Sequence, residues 1–265
     1  MATRRMGWPG AARRQPESPP LGAQDRELTL IEHLEDLRRA IIMSLIAWAM
    51  TTTVAFVFNQ NLIAILERPL HQALVHTHSP FGQRVVVTSP IQGLAIPFEV
   101  AAVAGIVLAL PVIVWQLWSF VAPGLRATER RLVFPFVFGT LFFFALGGVF
   151  AYFVIPIGLT FLATFLGANA VYLPDLGAYL SFLALVVLVF GVTFELPVAL
   201  SLLGAVGVIS SQQLRRWRKL AIFVIVLVAL VVTPGADPFT PTFLSVALIL
   251  FYEGSILFIQ HGLHR

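Results

Sequence analysis

Between Asp175 and Arg215 the chain carries a single charged side chain, Glu195, in an otherwise apolar run. Runs of this kind constrain the fold more than any other feature. About 20 consecutive apolar residues cross the hydrocarbon core of a bilayer as one helix, and there every backbone amide has to bond within its own segment. Charge-free runs recur at Ile41 to Phe58, about Val100 to Val121, Leu132 to about Pro156, within Leu176 to Leu203, and Leu220 to Val232. A final run, Pro241 to Ile259, is interrupted by Glu253. The sequence therefore predicts an all-α polytopic membrane protein with six transmembrane helices. Leu220–Val232 reaches only ~20 Å as a helix, so the fifth and sixth spans are expected to be short and to thin the bilayer beside them.

Composition agrees. Mean hydropathy is +0.89, and 11% of residues are charged, against roughly a quarter in soluble domains. A chain of 265 residues so occupied leaves no room for a second soluble domain, which predicts one membrane domain over 29–265. Residues 1–28, rich in Pro, Gly and Arg, read as a disordered cytoplasmic arm. Arg4 and Arg5 are paired there, but no apolar stretch follows to make a signal sequence.

The sequence pI of about 10.1 reports topology rather than a nucleic-acid partner. With the N-terminus in the cytoplasm, the inside segments hold all but Arg68 and Arg84 of the 17 Lys and Arg. Six spans then place both termini on the cytoplasmic side of the membrane. Pro111, Pro135 and Pro197 fall in or near the spans, where neighbours or water can satisfy the carbonyls they free, as a curved, partly wet bundle allows.

Two stretches outside the spans stand out. Thr29 to Ile41, TLIEHLEDLRRAI, opens with the capping box Thr29 and Glu32. It continues as an amphipathic helix with Leu30, Leu34, Leu37 and Ile41 on one face and an i,i+4 pair, Glu35 and Arg39, elsewhere. Trp115 to Arg131, WQLWSFVAPGLRATERR, has two interfacial tryptophans, a Pro-Gly stop at Pro123, and Glu129 among Arg126, Arg130 and Arg131. A topogenic basic loop would look like this. So would a loop whose carboxylate faces a guanidinium partner.

HLEDLRR at His33–Arg39, SPIQGLAIPFE at Ser89–Glu99, LPVIVWQLWSFVAPGLRATERR at Leu110–Arg131, AYFVIP at Ala151–Pro156 and SFLALVVLVFGVTFELPVAL at Ser181–Leu200 resemble, in order and spacing, the TatC family. TatC is the multispan subunit of the twin-arginine protein translocase, and the likeness runs from Thr29 to the C-terminus. The resemblance implies a glove-like bundle that acts as receptor and core of the translocase, binds twin-arginine signal peptides, and uses the proton gradient. It implies that Asp36, near Arg38, and Glu129 recognise the paired arginines, with Phe120 and Pro123 shaping the same surface. It implies that Glu195 is the polar point of the concave membrane face, that Asp237 lies in the outer turn before the last span, and that Pro69 lies in the first outer loop. Implied partners are TatA-type and TatB-type single-span subunits, lipid and further copies of the chain. Asp36 stands where the family usually has glutamate. Gln92 and Glu99 stand where an acid and a base are more usual, and no role transfers to Glu99.

A proton-coupled or ion-coupled small-molecule transporter is the competing class, since an intramembrane glutamate is its usual mark. Such transporters carry several buried polar groups and paired broken helices, whereas Glu195 is nearly alone. No enzyme is expected. The chain has no cysteine, no H-E-x-x-H, no G-x-S-x-G and no phosphate loop. His71, His76 and His78 read as loop histidines rather than a metal site, and no cofactor is expected. Glu253, near the inner end of the last span, is expected to snorkel or to meet a partner helix.

Overall fold

The computed structural model describes residues 30–75, 84–122, 133–165, 173–233 and 237–262. The arm, the Thr29–Glu32 capping box, His76, His78, Pro123, Glu129 and the other charges of the 123–132 loop lie outside what it describes.

Within those residues the chain is helical. In order come α1 (Leu30–Val57), α2 (Asn59–Val75), α3 (Gln92–Val121), α4 (Val133–Phe165), α5 (Leu176–Thr193), α6 (Leu196–Ala205), α7 (Ser211–Val232) and α8 (Phe239–Leu257). A π-helical turn, Phe258–Gly262, follows α8. Five segments are long and apolar enough to cross a membrane: α1, α3, α4, α5 with α6, and α8 with its terminal turn. The sixth pass is α7. It is a full helix, yet Arg215, Arg216, Arg218 and Lys219 occupy its first half, so only the run from Leu220 onward is apolar. Its start is fixed by a capping box in which Ser210 and Gln213 each serve the other's backbone N–H.

The alternation of these passes sorts the helix ends onto two faces. One, here called the basic face, gathers the starts of α1, α4 and α7 with the ends of α3, α6 and α8. The opposite face carries α2, the starts of α3, α5 and α8, and the ends of α1, α4 and α7. The turn from α6 to α7 on the basic face uses Gly207 at φ 80. Val208 N–H returns to Leu203 O at 2.9 Å there, a left-handed stop that only glycine takes without strain.

Where sequence alone gave a first outer loop, the structure has the amphipathic helix α2. Leu66, Leu70, Ala73 and Leu74 recur at helical spacing, and the last three are buried. α4 also runs on through Pro156 to Phe165, about 50 Å in all, so it outreaches the hydrocarbon core.

The main core joins α2, α3, α4, α5, α7 and α8, with Phe190, Phe194, Leu183, Ile155 and Ile256 almost wholly buried. α1 stands to the side and packs on α3. The contact is close because Gly105 lacks a side chain: a Cβ there would lie 2.8 Å from the backbone of Thr52. Trp48 Nε1–H donates to Ala102 O at 2.9 Å and Thr51 Oγ1–H to Gly105 O at 2.7 Å. Aromatic pairs close both ends of this seam, Phe56 with Phe98 and His33 with Phe120.

Candidate functional site

Glu195 sits where the fourth pass breaks. Pro197 has no N–H to give Thr193 O, and its ring disfavours continued helix just before it, so α5 stops and α6 begins two residues on. Glu195 is the N-cap of α6 but its side chain makes no capping bond. The Thr140 hydroxyl of α4 serves the carboxyl group, while Oε1 is buried without a hydrogen-bond partner among the described residues. Phe194 beside it is buried.

An apolar groove of about 460 Å³ opens between α4, α6 and α8. Gly139, Phe143, Pro197, Ser201, Phe251 and Ser255 are among the residues lining it. Gly139 adjoins Thr140 in sequence, and Pro197 is two residues from Glu195. Glu195 itself does not line the groove, and its Oε1 is enclosed within the fold. A buried acceptor with no donor costs about 1 to 3 kcal/mol, more when charged. A donor group brought to it therefore gains most of its value from that one bond.

At the basic face, α1 presents Asp36 and Arg38 fully to the surface. Phe120, half-buried in the last turn of α3, stacks on His33 of α1 with centroids 4.2 Å apart and planes 19° from parallel. The stack sets the first turns of α1, which carry Asp36 and Arg38, against the last turn of α3, while Pro123 and Glu129 lie outside the described residues. Glu35 and Arg39 form no ion pair, as expected of exposed charges whose pairing is worth little.

Pro69 and Asp237 belong to the opposite face, and both have local work. Pro69 lies inside α2, not in a loop, and is buried. Asp237 is 5% exposed. Its Oδ1 accepts from Phe239 N–H at 3.0 Å and Thr240 N–H at 2.7 Å, capping α8. It packs on Gly158 of α4, where a Cβ would come within 2.9 Å of the carboxylate.

Three polar groups to which sequence reasoning gave no settled role find partners. Gln92 Nε2 donates to Asp175 Oδ1 at 3.1 Å. Asp175 also accepts from Thr88 Oγ1–H at 2.6 Å and Ala178 N–H at 2.7 Å. The Thr88 hydroxyl first, and then the Ala178 amide, hold the Asp175 carboxyl down to about 2 from 3.8. Val86 bridges to Asp175 in parallel register, so the segments before α3 and α5 are tied by side chain and backbone. One helical level inward, Ser181 Oγ–H donates to Glu99 at 2.8 Å. Glu253 neither snorkels alone nor stays free for another helix: Arg218 grips it with two nitrogens, at 2.6 and 2.8 Å. Arg215 bonds Gln260 in the same clamp between α7 and α8.

Together these features define a multispan helical membrane protein with a carboxyl group, Glu195, at the break of its fourth apolar pass and exposed charges at the start of α1. The chain matches the family described as Sec-independent protein translocase protein (TatC) over residues 32–246. It is 37% identical to the Sec-independent protein translocase protein TatC of Deinococcus radiodurans over 225 residues, 84% of this chain and 83% of that protein. With that of Carboxydothermus hydrogenoformans it shares 34% over 234 residues, 88% of this chain and 93% of that protein. It is also similar to a crystal structure of the twin-arginine translocase receptor TatC in DDM, at 33% identity and a TM-score of 0.72, over 85% of this chain and 98% of that one. The chain belongs to the TatC family. The small-molecule transporter reading finds no support among these relatives.

Proposed function

We propose that this chain is the receptor and core subunit of a twin-arginine translocase. Its corner of α1 and α3, with Asp36, Arg38 and Phe120, and with Pro123 and Glu129 of the adjoining loop, binds the paired arginines of a signal peptide. The observation that supports the reading is the stacking of His33 on Phe120, which brings the start of α1, where Asp36 and Arg38 are exposed, against the end of α3. Carboxylates receive guanidinium in a planar, bidentate manner, which an ammonium cannot copy, so such a corner separates arginine from lysine.

Glu195, with one oxygen that has no partner among the described residues, is the polar contact within the bilayer for the signal region or for a helix of a TatA-type or TatB-type subunit. Pro69 and Asp237 support this indirectly, by shaping α2 and α8. The 29–265 membrane domain lies in the inner membrane with both termini and the basic face in the cytoplasm, the arm 1–28 preceding it. The chain performs no covalent chemistry, and the proton gradient drives export.

Binding of a labelled Arg-Arg signal peptide to the purified chain, against a Lys-Lys form of equal charge, tests the reading. A preference for arginine that Glu129→Gln abolishes supports it. Equal binding of the two peptides overturns it.

A further inference from the structure

Among the described residues, the first turns of α1 are exposed on most sides. Leu34, Glu35, Asp36, Arg38 and Arg39 are all exposed. Among the described residues, the nearest side-chain hydrogen bond from α1 to α3 is that of Trp48, about 22 Å further along the helix from His33. Between those points the seam with α3 runs over the small, half-buried side chains of Ala40, Ser44 and Ala47, and the ring pair of His33 and Phe120 closes its end.

Asp36 is one turn from His33 on the same helix, so the azimuth and height of its carboxylate follow those of the His33 ring. A bidentate contact with guanidinium tolerates displacements of only about half an ångström. An aspartate has one methylene less than a glutamate with which to absorb an error, so the position of its backbone matters more. A lysine ammonium is a compact charge without a preferred plane and is far less sensitive to the same displacement.

We infer that His33 is a positioning residue of the arginine site: by stacking on Phe120 it sets the Asp36 carboxylate in the plane that reads arginine rather than lysine. The inference rests on the receptor reading above and adds to it the source of its selectivity. The stack needs a flat ring on α1, not an imidazole as such, so phenylalanine replaces histidine and alanine does not. His33 need not touch the peptide.

The test measures binding of the Arg-Arg and Lys-Lys signal peptides to the full-length chain in detergent, for wild type, His33→Ala and His33→Phe, with thermal unfolding of each. Removing a positioning contact costs less than removing the carboxylate itself, so His33→Ala is expected to weaken Arg-Arg binding about tenfold. Lys-Lys binding stays within about twofold, and His33→Phe restores the arginine preference. A wild-type preference that survives His33→Ala overturns the inference while leaving the receptor reading intact. So does an equal loss of both peptides, the mark of a merely structural role. Were His33→Ala to fail to fold, a His33→Phe chain that folds but lacks the preference would overturn the inference as well. A wild-type chain with no preference overturns the receptor reading itself and this inference with it.

Discussion

The Tyr152 hydroxyl of α4 donates to the Ile65 carbonyl of α2 at 3.0 Å, and this is the carbonyl that Pro69, four residues on, cannot serve. Tyr179 of α5 does the same for the next carbonyl, Leu66 O, at 2.8 Å. α2 is thereby fastened to two spans at and beside the carbonyl that Pro69 leaves unserved. Tyr152→Phe is expected to cost about 1 kcal/mol in unfolding in detergent. In a Pro69→Ala background the restored amide reaches Ile65 O, and the same change should cost less than about half of that. A double-mutant cycle with no coupling would show that the tyrosine acts elsewhere.

Asp237 serves its helix through an acceptor oxygen, not through net charge. Asparagine retains that oxygen, so Asp237→Asn should leave thermal stability within about 0.5 kcal/mol, while Asp237→Ala, which strands two amides, should cost about 2 kcal/mol. Gly158→Ala forces a methyl against the same carboxylate and should cost about 1 to 3 kcal/mol. Equal loss from the asparagine and alanine variants would mean that the charge, rather than the cap, is what matters.

The spans were legible because a bilayer demands long apolar runs, but the break at Glu195 was not, since Pro111 and Pro156 sit inside helices that continue through them. α2 was not, since Glu67, Arg68 and Pro69 interrupt its apolar stripe and proline argues against helix. Asp175 and Gln92 escaped notice because their meeting depends on two segments, 83 residues apart, being brought together. Glu253 read as a lone intramembrane acid for the same reason. Its partner Arg218 lies on the preceding pass, and antiparallel packing of α7 on α8, not local pattern, sets them opposite each other.

Asp175 gives the fold a pH dependence of known sign. Its hydrogen bonds favour the charged carboxylate, so its folded value, about 2, lies below the ordinary 3.8. Stabilisation of that origin is complete above about 4 and is lost as pH falls toward 2. Unfolding followed from pH 5 to pH 2 should therefore show a loss of stability below pH 4 that Asp175→Asn reduces. A variant that falls as steeply as wild type over that window would remove Asp175 as its source.

The Arg218–Glu253 clamp and Glu195 should respond oppositely to neutralisation. Arg218 and Glu253 are partly exposed, at 47% and 35%, so Glu253→Gln should cost under about 1 kcal/mol, and less in high salt. Among the described residues one Glu195 oxygen has no donor, so the isosteric amide takes away a charge there without taking away a partner. Thr140 can serve either group, because a hydroxyl both donates and accepts. Glu195→Gln should leave the chain as stable as wild type or more so in detergent, while lowering export of a twin-arginine substrate from cells. If stability falls instead, the carboxylate is paired within the fold, and its proposed use as a contact for an incoming helix loses its physical basis.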